Sequence, residues 1–283
     1  MKIGLFITLA IFVAGYLAIW IGSIRKLETP GPRELFVGLI TNFFDTLGIG
    51  SYAPTTSFFK LWGLVRDEHI PGTMNIGDVL PSTLEAFIYI TVVQVDVLTL
   101  TLMIGASVIG AWLGAGVVAR LPRRKIQIGM GIALLIMAAF FLLRQFELFP
   151  GGGDKAGLTG LQLAIAVAAN MILGALMTLG IGMYAPCMMI VYLMGMSPKA
   201  AYPIMTGSAA FLAPVASIRF IREQSYNLKA ALGLLIGGIP GVLVAAFIVK
   251  EMSLYWVRWL VIVVVIYTAA MLLRSAMLER RRV

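Results

Sequence analysis

Apolar runs alternate with short polar links along the whole chain, and several reach the ~20 residues that an α-helix needs to cross the hydrocarbon core of a bilayer. The runs at 3–21, 76–95, 98–119, 126–143, 198–221, 228–249 and 254–273 each predict one crossing helix. Two further apolar stretches, 35–64 and 161–193, carry an interruption. In the first, Gly48 and Gly50 loosen the backbone, Ser51 is suited to cap a new helix, and Pro54 is suited to that helix's first turn. The phrase returns as Thr178-Leu179-Gly180-Ile181-Gly182, with Tyr184, Ala185 and Pro186 in the places of Tyr52, Ala53 and Pro54. A helix broken inside a bilayer leaves backbone groups unpaired, which is tolerated only where protein or a water-filled cavity surrounds them. Two such breaks predict one shared site.

Composition agrees with the pattern. The chain is 60% hydrophobic and 12% charged, whereas soluble domains carry about 25% charged residues. The net charge of +9 would suggest nucleic acid in a soluble domain, but the basic residues sit in short links between apolar runs, where they orient a membrane protein. The N-terminal run is longer than a signal-peptide core and lacks a clear small-x-small cleavage site, so it reads as a transmembrane helix. The lone cysteine, Cys187, excludes an intramolecular disulfide and a multi-cysteine metal site. Metalloprotease, nucleotide-binding and serine-hydrolase motifs are missing, so neither a cofactor nor an enzymatic activity is expected.

The halves resemble one another. Thr46 corresponds to Thr178, Gly63 to Gly195, Pro71 to Pro203 and Gly105 to Gly237, all 132 positions apart, and Leu142-Leu143-Arg144 recurs as Leu272-Leu273-Arg274. If the links at 25–33, 60–69, 120–125 and 219–229 and the C-terminal tail are cytoplasmic, they hold 16 of the 22 Lys and Arg residues, as the positive-inside rule requires. Each interrupted stretch then begins and ends on one side of the membrane, as a hairpin. Three spans follow each hairpin, so the second copy is upside down relative to the first. The expected fold is an all-α integral membrane protein of about seven spans and two broken hairpins, an inverted-repeat secondary transporter. It forms one domain over 1–283, with an N-terminal span and link (1–32), one repeat (33–145) and its inverted copy (159–275). The N-terminus lies outside and the C-terminus in the cytoplasm of a bacterial-type inner membrane.

At each break a helix begins, and a helix N-terminus presents free N–H donors and partial positive charge, which suits an anion. The amides of Gly48 to Tyr52 and of Gly180 to Tyr184 are expected to lack carbonyl partners, with Gly50 and Gly182 central. Thr46, Ser51 and Thr178 would add hydroxyl donors, and Tyr52 and Tyr184 could reach a substrate. Asn42, Asn75, Ser82, Thr206 and Ser208 are candidates to line the path, although Ser and Thr also bond back to helix carbonyls. Asp45 and Glu85 are acids inside apolar sequence and are candidates to carry a coupling proton. The plainer alternatives are a strut for Asp45 and an ion pair for Glu85. Gly110-x-x-x-Gly114 and Gly233-x-x-x-Gly237 read as close helix packing.

The phrase from Asn42 to Ser51, with its partial copy at 178–182, resembles the TauE/SafE sulfite exporter family, also called the toluene sulfonate uptake permeases. The resemblance extends over essentially the full length. It implies secondary transport of a sulfur-containing anion such as sulfite, sulfoacetate, another organosulfonate or thiosulfate. The thiosulfate-importing branch relies on cysteines along its path, and here Cys187 stands alone. Because an anion leaving a negative interior gains about 2.3 kcal/mol per charge per 100 mV, export without a coupling ion is the expected direction. Proton-coupled import through Asp45 or Glu85, or a non-transporting membrane scaffold subunit, are the alternatives. The expected partners are the bilayer and a small anion, not nucleic acid. A homodimer is left open.

Overall fold

The computed structural model describes residues 2–25, 28–148, 152–247 and 255–280. Pro150, Gly151 and the basic tail beyond Arg280 lie outside the described residues. All regular structure among the described residues is helical, apart from an isolated bridge between Lys155 and Met196.

The first helix, α1 (Lys2–Ser23), is a span of 22 residues. The first interrupted stretch becomes α2 (Pro32–Thr46) and α3 (Tyr52–Trp62). The two arms run antiparallel: the Phe36 ring, near the start of α2, lies 6.2 Å from Phe58 and 6.1 Å from Trp62, at the end of α3. With 15 residues in α2, the tip sits about 22 Å from where the hairpin begins.

The second interrupted stretch becomes α8 (Gly160–Met177) and α9 (Tyr184–Leu193). Its ends are also tied together, because the Gly153 amide donates to the Met196 carbonyl and the Ser197 amide to the Lys155 carbonyl, both at 2.9 Å. Both hairpins therefore form as expected, with arms of 15 and 11 residues in the first and 18 and 10 in the second.

Between the hairpins lie α4 (Ile70–Gly77), α5 (Val79–Val92), α6 (Val97–Val118) and α7 (Arg123–Gln145); after the second come α10 (Ala201–Arg222), α11 (Leu228–Phe247) and α12 (Tyr255–Arg280). Ion pairs gather the basic links on one face: Lys229 with Glu34 at 3.2 Å, Arg120 with Glu223 at 2.7 Å, and Lys60 and Arg123 with Asp67 at 2.6 and 3.6 Å. The first hairpin opens toward this face. The second opens toward the other, where the Asp96 amide donates to the Ala156 carbonyl at 2.8 Å. Asp96 also caps α6, accepting from the Thr99 amide and hydroxyl at 2.8 Å each, and these bonds hold its carboxyl below the usual carboxylate range.

One expected span is different. The run at 76–95 was expected to form a single helix, yet the chain turns at Asp78, between α4 and α5, with φ −87° and ψ 2°. Asp78 is fully buried and takes a hydrogen bond from the Asn42 amide at 3.2 Å. The polar anchor accompanies a break there, whereas α10 continues through Pro214 with none.

Hairpins pack mainly against the opposite half: α2 along α11 and α8 along α6, while α7 packs on α12. α10 is the central column, touched by α1, α4, α5, α6 and α9. Glycines set the spacing of the hairpin pairs. A Cβ on Gly237 would come within 2.1 Å of the Leu35 carbonyl oxygen, and one on Gly110 within 1.8 Å of that of Met171. These are the close helix crossings expected of the two Gly-x-x-x-Gly pairs.

Gly237→Ala should therefore lower the melting temperature of the detergent-purified protein, by the equivalent of about 1–3 kcal/mol for overpacking. Gly105→Ala, at a position with nothing within 4 Å of the new methyl, should leave it unchanged.

Candidate functional site

The first break is built by backbone turns that need glycine. After α2, the Gly48 amide returns to the Asp45 carbonyl at 2.8 Å and the Ile49 amide to the Phe44 carbonyl at 3.0 Å. Gly48 and Gly50 have φ of +83° and +92°, where a side chain would be strained. The second break repeats the closure, with the Gly180 amide 2.9 Å from the Met177 carbonyl. Pro54 and Pro186 both fall in the first turn of the helix that follows.

The breaks meet. A Cβ on Gly50 would lie 3.9 Å from the Tyr184 Cβ, and one on Gly182 would lie 3.7 Å from the Tyr52 Cβ. The cavity left between them measures about 10 Å³ and is lined by Asp45, Ser51, Tyr52, Ser82, Met183 and Tyr184 among others. That is about the space of one water. The arrangement is closed, and the breaks must part before anything larger can sit between them.

The donors differ in part from the sequence expectation at both breaks: Gly180 and Ile181 also spend their amides on the turn, while those of Gly50 and Tyr52 have no acceptor among the described residues. The amides of Gly48 and Ile49 are spent on the turn. The Ser51 amide donates to the Asp45 carboxylate at 2.8 Å, so the cap of α3 is Asp45, and the Ser51 side chain makes no capping bond. This is the strut geometry for Asp45. Thr178 also departs from expectation: its hydroxyl donates to the Ala175 carbonyl at 2.7 Å, a local bond that takes its proton away from the site. At the second break, among the described residues, the amides of Gly182, Met183, Tyr184 and Ala185 have no hydrogen-bond acceptor.

Glu85 joins the two breaks. It is fully buried and accepts from the Thr46 hydroxyl at 2.8 Å and from the Tyr184 hydroxyl at 2.7 Å. The ion pair considered for it does not form among the described residues. Tyr52 brings its hydroxyl into the same interior without a partner.

The flanking candidates fall into separate places. Asn42 donates to Asp78 and to the Gly38 carbonyl. Asn75 donates to the Pro71 carbonyl, while its own carbonyl accepts from Ser217; the side-chain oxygens of both asparagines are unpartnered. Ser208 accepts from Asn170 at 2.9 Å, tying α10 to α8, and Thr206 bonds back to the Tyr202 carbonyl at 2.8 Å. Of these flanking candidates only Ser82 lines the small cavity; Asn42, Asn75, Thr206 and Ser208 do not.

Three residues around the first break escaped the sequence reading. Asp78 stood near the start of an apolar run, seven positions before Glu85, and that spacing was a usable signal. Tyr89 donates to the Thr46 carbonyl, and Arg144 reaches from α7 to the Gly48 carbonyl at 2.9 Å. Nothing local in sequence marks either contact, because both join residues more than forty positions apart.

An all-helical, multi-pass membrane protein with two opposed hairpins meeting tip to tip is thus defined. Residues 162–282 match the family described as Sulfite exporter TauE/SafE. The matched stretch runs from within α8 through the second break to the end of α12, so the resemblance stands over residues 162–282 of the 283. The family description is that of a sulfite exporter, consistent with a membrane transporter of sulfite-like anions. Comparisons with curated proteins and with solved structures gave no match.

Thr46 and Tyr184 donate to the same carboxylate, so Thr46→Val and Tyr184→Phe should each cost about 1–3 kcal/mol. Their double-mutant cycle in thermal or denaturant unfolding should show a coupling of at least about 0.5 kcal/mol.

Proposed function

We propose that the chain is a secondary transporter that carries a sulfur-containing anion, such as sulfite, sulfoacetate or another organosulfonate, across the cytoplasmic membrane. The anion is held where the two broken helices converge. The observation that carries this reading is the tip-to-tip meeting of the breaks, with four amides at the head of α9 left without acceptors. A helix N-terminus of this kind binds an oxyanion without a fixed positive charge, and opposed discontinuous helices near the midplane are how secondary transporters build such sites. Tyr184, Gly182, Ser51 and Tyr52 are the first-choice binding groups, and Asn42, Asn75 and Ser82 belong to the path beside them.

If the anion moves alone, the negative interior drives export, with the N-terminus outside and the basic face in the cytoplasm. A second reading, uptake together with a proton, is favoured by a specific feature. Asp45 and Glu85 are buried between the breaks with hydrogen-bond donors but no basic side chain paired to either among the described residues.

In a thermal-shift screen of the purified protein, sulfite, sulfoacetate or a related sulfonate should stabilise the fold by mass action; a carboxylate of equal size should stabilise it less. Gly182→Val should abolish that shift while the protein still purifies as a folded species. If sulfur oxyanions produce no shift and no flux in proteoliposomes, the transporter reading is wrong and the scaffold alternative gains.

A further inference from the structure

The two breaks share a turn closure, in which the amides of Gly48 and Ile49, or of Gly180 and Ile181, fold back on the preceding helix, but Gly50 is left-handed where Gly182 is not, and their chemistry differs. At the first, the position ahead of the turn is Asp45, 3% exposed, and its carboxylate occupies the head of α3 by accepting from the Ser51 amide at 2.8 Å. At the second, the corresponding residue is Met177, and among the described residues no carboxylate accepts from the amides at the head of α9. One donor at the head of α3, the Ser51 amide, is thus occupied by the protein itself. A second feature points to an exchangeable occupant. The Tyr52 hydroxyl, on a residue 3% exposed, lines the same cavity as Asp45 and has no hydrogen-bond partner among the described residues. It is a buried donor that an incoming oxyanion could satisfy.

The charges around Asp45 constrain the exchange. Asp78 and Glu85 face it from the neighbouring helix α5 and its start. Tyr52 and Tyr184 face it from α3 and α9 as neutral hydroxyls, and Tyr89 stands on α5. Arg144, the basic side chain that reaches this break, is bound to the Gly48 carbonyl. An anion set beside these carboxylates with no counter-charge would be strongly repelled in a low-dielectric interior.

We propose that Asp45 is a tethered stand-in for the transported anion: substrate takes the Ser51 amide only when Asp45 gives it up, and Asp45 gives it up by accepting a proton. The proton adds to the departing carboxylate, which becomes a neutral acid, and the substrate's negative charge replaces the one that was lost. On the other side of the membrane the anion leaves, Asp45 releases its proton to the same side, and the carboxylate returns to the amide. One proton travels with each anion, so a singly charged substrate moves without net charge. This deepens the anion-transport reading, rests on it, and selects the coupled form.

The test uses methanesulfonate, a strong-acid anion whose own charge is constant where carboxylates titrate, with wild-type and Asp45→Asn protein in proteoliposomes. Wild-type flux should follow an imposed pH gradient and ignore an imposed membrane potential. Asp45→Asn should reverse this, following the potential and ignoring the pH gradient. Asp45→Asn flux that is still driven by pH and blind to potential overturns the proposal. Should Asp45→Asn not reconstitute, wild-type affinity decides: methanesulfonate binding should weaken about tenfold per pH unit on the alkaline side, and a flat profile overturns the tethered role. Wild-type protein that moves neither methanesulfonate nor sulfite under any gradient instead defeats the transport reading on which the proposal stands.

Discussion

A helix that stops inside a bilayer exposes amides and carbonyls that lipid cannot satisfy, so they must be paired, buried in protein or turned to a water-filled cavity. Much of the interior follows from that demand. At the first break the Gly48 and Ile49 amides fold back on α2, Asp45 takes the Ser51 amide, Arg144 takes the Gly48 carbonyl and Tyr89 takes the Thr46 carbonyl. The partners come from α2, α5 and α7, so pairing the backbone of one turn also fixes how three helices meet.

The second break is less fully dressed, and the difference has a source in composition. Asp45, Asp78 and Glu85 stand in the first half, where the positions 132 further on hold Met177, Ala210 and Ser217. Two helix heads stand in opposition; among the described residues a carboxylate takes the Ser51 amide at the first and leaves those of Gly50, Tyr52 and Ala53 without acceptors, while at the second none of the amides from Gly182 to Ala185 has one.

Closure at the centre is matched by anchoring at the face where the first hairpin opens. Asp67, 4% exposed, accepts from Lys60 at the end of α3 and from Gln127 of α7, with Arg123 nearby. A buried, multiply bonded carboxylate of this kind contributes more to fixing one geometry than to net stability, because desolvation offsets much of the attraction. It ties the outer end of the first hairpin to α7, whose far end supplies Arg144 to the tip. The same helix therefore touches the hairpin at both of its ends.

By itself the sequence determined the class of molecule, the two hairpins and their turns. Apolar length, charge placement and the glycine-proline phrase act locally, and lipid leaves a backbone few ways to satisfy itself. The close crossings of α2 with α11 and of α6 with α8 were foreshadowed by glycine spacing, although which helix each would meet was not. The break at Asp78, the capture of the Ser51 amide by Asp45, the diversion of Thr178 and the arrival of Tyr89 and Arg144 were decided only in the folded chain. The long-range contacts depend on which helices meet and how their faces turn toward the breaks. Even the local bonds were choices among acceptors within reach, and the packing around each side chain settles such choices.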